Sequence, residues 1–194
     1  NWRDRTKLAE DWSIQIEGIS FRLSTTDFGH IGVFPEQAAM WKRITELCTE
    51  GRQREPDMQV LNLFAYSGGS TMAAARTGVG VCHLDASHGM VEWARKNAEL
   101  NGLENAPIRW IVDDVRRFIQ REIRRERRYH AVILDPPSFG RGKNGEVFKI
   151  QQDLLPLLYD LKKLAPRPEF IALSCHTPEF TGLCLKTSSS SIRA

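Results

Sequence analysis

Acidic residues end one apolar run after another in this chain. Val81-Cys82-His83-Leu84 runs into Asp85, Ile108 to Val112 into Asp113 and Asp114, and His130 to Leu134 into Asp135. A carboxylate at the tip of such a run can accept both hydroxyls of a ribose. Ahead of them, Val60, Leu61, Leu63 and Phe64 form an apolar run broken by Asn62, followed by Tyr66-Ser67-Gly68-Gly69. The two glycines permit torsions and close approach that a Cβ would block, so a ligand can lie against this turn while amide N–H groups point at it. Turn and Asp85 together point to the binding of an adenosine group, although either alone also fits a plain loop or a helix cap.

Three further features could act on a substrate. In Asp135-Pro136-Pro137-Ser138-Phe139, two prolines stiffen the chain and fix the carboxylate. Phe139 can stack on a flat substrate as aromatics do with unstacked bases, or pack into the core. Arg141 and Lys143 follow in a glycine-bearing loop and are placed to meet phosphates. Cys175, after Phe170 to Leu173, offers a thiol that as a thiolate could add to a ring carbon. His176 beside it could lower its pKa, but neighbours on an extended chain point to opposite sides, and a cysteine there also serves as a small hydrophobe. The basic run Arg121 to Arg128 reads as a solvated helix end away from the chemistry. The histidines show no metal-ligand spacing, so no metal site is expected.

These residues meet only if the runs are neighbouring parallel strands, whose carboxyl ends share one edge. Helical patterns lie between them: Ser70 to Thr77, capped by Ser or Thr and stopped at Gly78; Ser87 to Asn101, with Met90, Val91, Ala94, Ala98 and Leu100 as its apolar stripe; Val115 into the arginine run; and Glu146 to Leu164, kinked at Pro156. Glu36 to Glu50 reads as an earlier helix with Pro35 near its first turn and Gly51 as its stop. Ser13 to Leu23 alternates around a turn at Glu17-Gly18, the mark of a hairpin. The fold expected is α/β, a doubly wound, mainly parallel Rossmann-like sheet over residues 36–194, with an extension carrying a small β-hairpin over residues 1–35.

With 194 residues, 41% of them hydrophobic and 26% charged, the chain suits one soluble domain with a real core. A formal charge of +3 permits contact with polyanions without requiring it. Cys48, Cys82, Cys175 and Cys184 have neither CxxC spacing nor the density of a secreted scaffold, which favours reduced thiols and a cytoplasmic setting. No apolar run approaches membrane-spanning length.

The set resembles the class I S-adenosylmethionine-dependent methyltransferases. It is most similar to bacterial ribosomal RNA methyltransferases of the large-subunit cytosine-C5 kind and their relatives, which carry a similar L-N-L-F-A-Y-(S/T)-G-G and an acid-P-P-(S/K)-F. The resemblance covers roughly Phe28 to Thr177 and implies S-adenosylmethionine as cofactor and an RNA base as acceptor. By it, Phe64, Tyr66, Ser67 and Gly68 line the methionine and ribose side, Asp85 holds the ribose, and Ala86 touches the adenine. Asp114 and the Val115 amide read the adenine edge, and Asp135 and Pro136 lie by the sulfonium. Phe34, Glu36 and Gln37 fall where the family has F-L-D-Q-R, which places Phe34 and Gln37 with the cofactor; Ala38 stands where that arginine would be. A missing third glycine of G-x-G-x-x-G agrees with a methyl donor better than with a dinucleotide.

Two acceptor chemistries follow from the resemblance. Amino-group methyltransferases with a similar motif hold the amine between the acid and a proline carbonyl and the base against the ring, which would engage Asp135, Pro137 and Phe139. Cytosine-C5 methylation would instead use Cys175 as nucleophile. A small-molecule or protein acceptor, or a non-catalytic cofactor-binding domain, remains as an alternative. The family sheet usually has two more strands after the fifth, and the residues beyond Thr177 are too few and too polar for a helix plus two strands, so incomplete C-terminal strands are expected.

Overall fold

The alternating N-terminal segment folds as β1 (Trp12–Ile16) and β2 (Ile19–Leu23), paired antiparallel. The turn falls at Glu17 (φ 50°) and Gly18 (φ 71°), both left-handed, as a two-residue hairpin matched to strand twist requires. A computed structural model describes residues 12–26, 29–141, 145–175 and the strand 183–186. Residues 1–11 and His176 lie outside the described residues.

The central sheet contains β3 (Gln59–Leu63), β4 (Gly80–Asp85), β5 (Ile108–Val112), β6 (Ala131–Leu134), β9 (Phe170–Leu173) and β10 (Leu183–Lys186). Their order is β10-β9-β6-β3-β4-β5, with only β10 antiparallel to its neighbour. The C-terminal segment therefore supplies one antiparallel strand. The chain walks outward from β3 to β5, then returns to the other side of β3 at β6, which opens a crevice at the carboxyl ends. Helices α1 (Ala38–Arg54), α2 (Gly69–Ala75) and α3 (His88–Leu100) cover one face; α4 (Val115–Arg124) and α5 (Ile150–Leu164) cover the other.

The hairpin shares the first of these cores. Ile19, Phe21 and Leu23 are buried among Trp41, Ile44 and Met72. Two asparagine side chains latch its free edge: Asn101 pairs with the Ser20 amide and carbonyl at 2.8 Å each, and Asn97 Oδ1 accepts from the Arg22 amide at 2.9 Å. Asn97 Nδ2 also donates to the Ser67 carbonyl at 2.9 Å.

Several expectations are corrected by packing. Gly51 does not stop α1; it faces Met58, whose Sδ would lie 2.8 Å from an added Cβ, and the helix continues to Arg54. No Ser or Thr caps α2, whose N-cap is Gly68 at φ 92°. Leu100 is 48% exposed and leaves the stripe, where Asn97 takes a buried place. The helix expected from Glu146 begins at Ile150, because Phe139–Arg141 (β7) and Val147–Lys149 (β8) pair as a short antiparallel ribbon. Pro156 sits inside α5. Within the arginine run, Glu122 is fully buried, gripped by Arg109 at 2.7 and 3.1 Å and by the Tyr129 hydroxyl at 2.7 Å.

Asn62, the polar break in β3, is explained by a buried relay. Its Nδ2 donates to Thr71 Oγ1 at 2.8 Å, and Thr71 Oγ1 lies 2.8 Å from His83 Nδ1. Burial, with Arg95 as a lesser cause, pushes the His83 pKa down from 6.5 to about 3. The unfolded chain therefore binds the proton first as pH falls. Stability is complete above the ordinary histidine range and declines toward pH 3, by at most roughly 1.4 kcal/mol per pH unit. Urea unfolding at pH 7, 6 and 5 is expected to show this decline, with a shallower one in His83→Leu. Equal slopes in the two proteins would assign the acid sensitivity elsewhere.

Candidate active site

The turn after β3 holds two side-chain-bearing residues in left-handed backbone, Phe64 at φ 56° and Tyr66 at φ 49°. Each such residue costs on the order of 1–2 kcal/mol relative to ordinary torsions, and such strain clusters at binding sites. Gly68 permits the bend into α2 and packs against Ala94 and Met72. Gly69 lets Trp41 approach: an added Cβ would lie 2.6 Å from its ring. The close approach inferred for these glycines is thus made by the protein's own side chains.

Asp85, at the end of β4, is anchored by backbone. Its Oδ2 accepts from the Tyr66 amide and its Oδ1 from the Ser87 amide, each at 2.9 Å. Burial pushes this carboxyl above its usual range, and the amides offset part of that effect. One strand further out, the paired acids divide their work. Asp114 is the N-cap of α4, accepting from the Arg116 and Arg117 amides at 3.0 Å each. Burial alone would raise the Asp113 carboxyl, but Arg117 and Arg121, both at 2.6 Å, hold it below the usual range. Arg121 thus reaches back to the strand tip.

Asp135 follows β6 on the other side of the crevice. The loop Pro136-Pro137-Ser138 leads into the β7–β8 ribbon, where Phe148 packs on Phe64 with ring centroids 5.1 Å apart. The fourth wall is the segment joining the hairpin to α1. Thr26 is tied to His30 there, with its hydroxyl and amide both donating to the His30 carbonyl at 2.9 Å. The His30, Phe34 and Tyr66 rings then cluster at centroid distances of 5.3 to 6.5 Å.

These walls enclose a cavity of about 1140 Å³. Phe34, Phe64, Tyr66, Asp85, Ala86, Asp114, Val115, Asp135, Pro136, Pro137 and Arg141 all line it. Ser67 and Gly68 lie behind the wall, Ser67 being only 3% exposed. Gln37 is set back, bonded to Ser174 and Asp135. Phe139 is 52% exposed beside the cavity, with the Arg141 guanidinium 5.8 Å from its ring centre. Cys175 packs against the apolar layer of α4 and α5. Lys143 lies outside the described residues. Sequence reasoning gave no role to the lining residues His30, Glu36 and Phe148. The irregular string G-H-I-G-V-F-P-E-Q has no period and V-F-K is too short to show one, so no local pattern marks these three.

The cavity fits an adenosine-bearing cation. Its size matches or exceeds the roughly 300–1,000 Å³ of ordinary ligand pockets, its lining is largely apolar, and six carboxylate residues, Glu36, Asp85, Asp113, Asp114, Asp135 and Glu146, ring it. The Tyr66 hydroxyl is buried beside the Gly32 backbone without a well-formed hydrogen bond.

Comparison with known proteins agrees with this geometry. Residues 1–181 match the family described as S-adenosylmethionine-dependent methyltransferase. The ribosomal RNA large subunit methyltransferase K/L of Magnetococcus marinus is 31% identical over 155 residues, 76% of this chain and 20% of that protein. The crystal structure of the SAM-dependent methyltransferase from Agrobacterium tumefaciens shares 38% identity with a TM-score of 0.80, covering 88% of this chain and 55% of that one. A crystal structure of SMU.776 complexed with SAH shares 25% identity with a TM-score of 0.73, covering 86% of this chain and 42% of that one. The chain thus spans about a fifth of the length of the K/L relative.

Proposed function

Because the chain belongs to the S-adenosylmethionine-dependent methyltransferase family, we propose that it methylates a base of ribosomal RNA in the cytoplasm. The observation that carries this reading is the single cavity shared by Asp85, Asp114 and Asp135 at three strand ends. Asp85 holds the ribose diol, while Ala86, Asp114 and Val115 meet the adenine. Phe34, Phe64 and Tyr66 face the methionine side, and Asp135 with Pro136 lies next to the sulfonium. When bound, S-adenosylmethionine supplies a methyl group on a cationic sulfur.

The acceptor is held from the ribbon side. Asp135 accepts a hydrogen bond from the acceptor's N–H and keeps a negative charge beside it, Pro137 borders the base, and Phe139 stacks on it. Arg141 meets a neighbouring phosphate, a role also open to Lys143. The likeness to a ribosomal RNA large subunit methyltransferase K/L supports ribosomal RNA as the acceptor. Transfer of tritiated methyl groups to total RNA, protein and metabolite fractions tests this. Label released by ribonuclease is expected; label in protein or small molecules would replace the acceptor, and cofactor binding without any label would leave a binding domain.

The placement of Cys175 favours a nitrogen acceptor over cytosine C5. It is absent from the cavity lining and packs among apolar side chains, whereas covalent addition needs the sulfur at the base. Cys175→Ala is expected to keep RNA methylation within about threefold of the parent rate. A fall of two orders of magnitude would restore the covalent route.

A further inference from the structure

Gln37 closes the 3-10 turn Pro35–Gln37 that leads directly into α1, in right-handed helical backbone (φ −79°, ψ −3°). Its side chain caps nothing there. It crosses instead to the tips of β6 and β9, placing Nε2 2.7 Å from Ser174 Oγ and 3.5 Å from Asp135 Oδ2. One amide nitrogen carries two hydrogens and can serve both acceptors.

The two cavity carboxylates on either side of β3 are fixed by different means. Asp85 is followed by residues that retain their N–H groups, and its oxygens accept from the Tyr66 and Ser87 amides. Asp135 is followed by Pro136 and Pro137, which have no N–H to give. The two residues after it thus offer this carboxylate no amide donor, and Gln37, ninety-eight positions away in sequence, supplies one. An amide also suits the task chemically. It donates without adding a positive charge, so the carboxylate keeps its full charge toward the cavity, which a lysine or arginine at this place would reduce.

We propose that Gln37, braced on Ser174, is a positioning residue that holds Asp135 Oδ2 from behind so that the carboxylate stays aimed at the acceptor. The proposal rests on the reading of Asp135 as the group that grips the acceptor. It differs from a role in cofactor binding, since Gln37 does not line the cavity.

Gln37→Met, which keeps the length of the side chain and removes its donor, separates these roles when compared with Asp135→Asn in the full chain. RNA methylation rates, S-adenosylmethionine affinity by calorimetry and Tm are measured for each. Gln37→Met is expected to lower kcat at least about tenfold, as the loss of one hydrogen bond to a charged group would, while cofactor Kd and Tm stay near those of the parent. Gln37→Glu, which sets an acceptor where the donor was, is expected to lower kcat further. A parent-like kcat in Gln37→Met, with Asp135→Asn inactive, overturns the positioning role alone. A loss of cofactor affinity parallel to the loss of kcat in Gln37→Met overturns it in favour of direct cofactor binding. Full activity in Asp135→Asn removes the reading of Asp135 and the role of Gln37 with it.

Discussion

Asp85→Asn is expected to raise the dissociation constant for S-adenosylmethionine at least about 100-fold, close to abolishing binding. Two effects combine. On the proposed placement the ribose diol loses an ionised acceptor, and hydrogen bonds to charged groups contribute about 1.5–3 kcal/mol each. The replacement also turns an NH2 group toward one of the two backbone amides that the carboxylate now satisfies, Tyr66 or Ser87. Donor then faces donor, and the strained turn through Phe64 and Tyr66 loses the bond that secures it. Titration calorimetry checks this, and unchanged affinity would remove Asp85 from the ribose. The same group sets a pH dependence. Burial raises its pKa, so the ionised form is lost at a higher pH than for a free carboxylate, and affinity is expected to weaken on acidification while the fold persists.

Asp135→Asn is expected to separate binding from turnover. On the proposed placement Asp135 lies across the crevice from the adenosine and beside the sulfonium, so losing its charge is expected to weaken cofactor binding far less than the Asp85 change does. The rate of RNA methylation is expected to fall by roughly 10²-fold or more, the usual range for removing a positioned acid or base. Asparagine keeps the shape and the Gln37 contact through its oxygen but loses the charge that faces the acceptor. Single-turnover methylation with saturating cofactor is the measurement, and a rate near that of the parent protein would show that the acceptor is held by other groups.

Much of the fold was legible because strands buried on both faces leave continuous apolar runs. β5 and β9 match their expected bounds, and Ser87 and Asp114 cap the helices that follow them in sequence. The failures share one cause, tertiary contact that local pattern does not encode. Gly51 reads as a helix stop until Met58 packs on it. The β7–β8 strands are three residues each, too short to show a period. Glu122 is hidden in a run of arginines because its partners, Arg109 and Tyr129, belong to other parts of the chain. At the site, the acids were legible as strand-end residues. The wall from His30 to Glu36 was legible only at Phe34, through the family resemblance, since an irregular segment has no periodicity and its position depends on the hairpin before it.

The amide of Asn97 touches Arg22 on one side and Ser67 on the other. The hairpin and the loop after β3 are therefore packed as one piece. A recombination breakpoint at residue 36, where composition alone would put a module border, would sever a shared interior and leave the asparagine with half its partners.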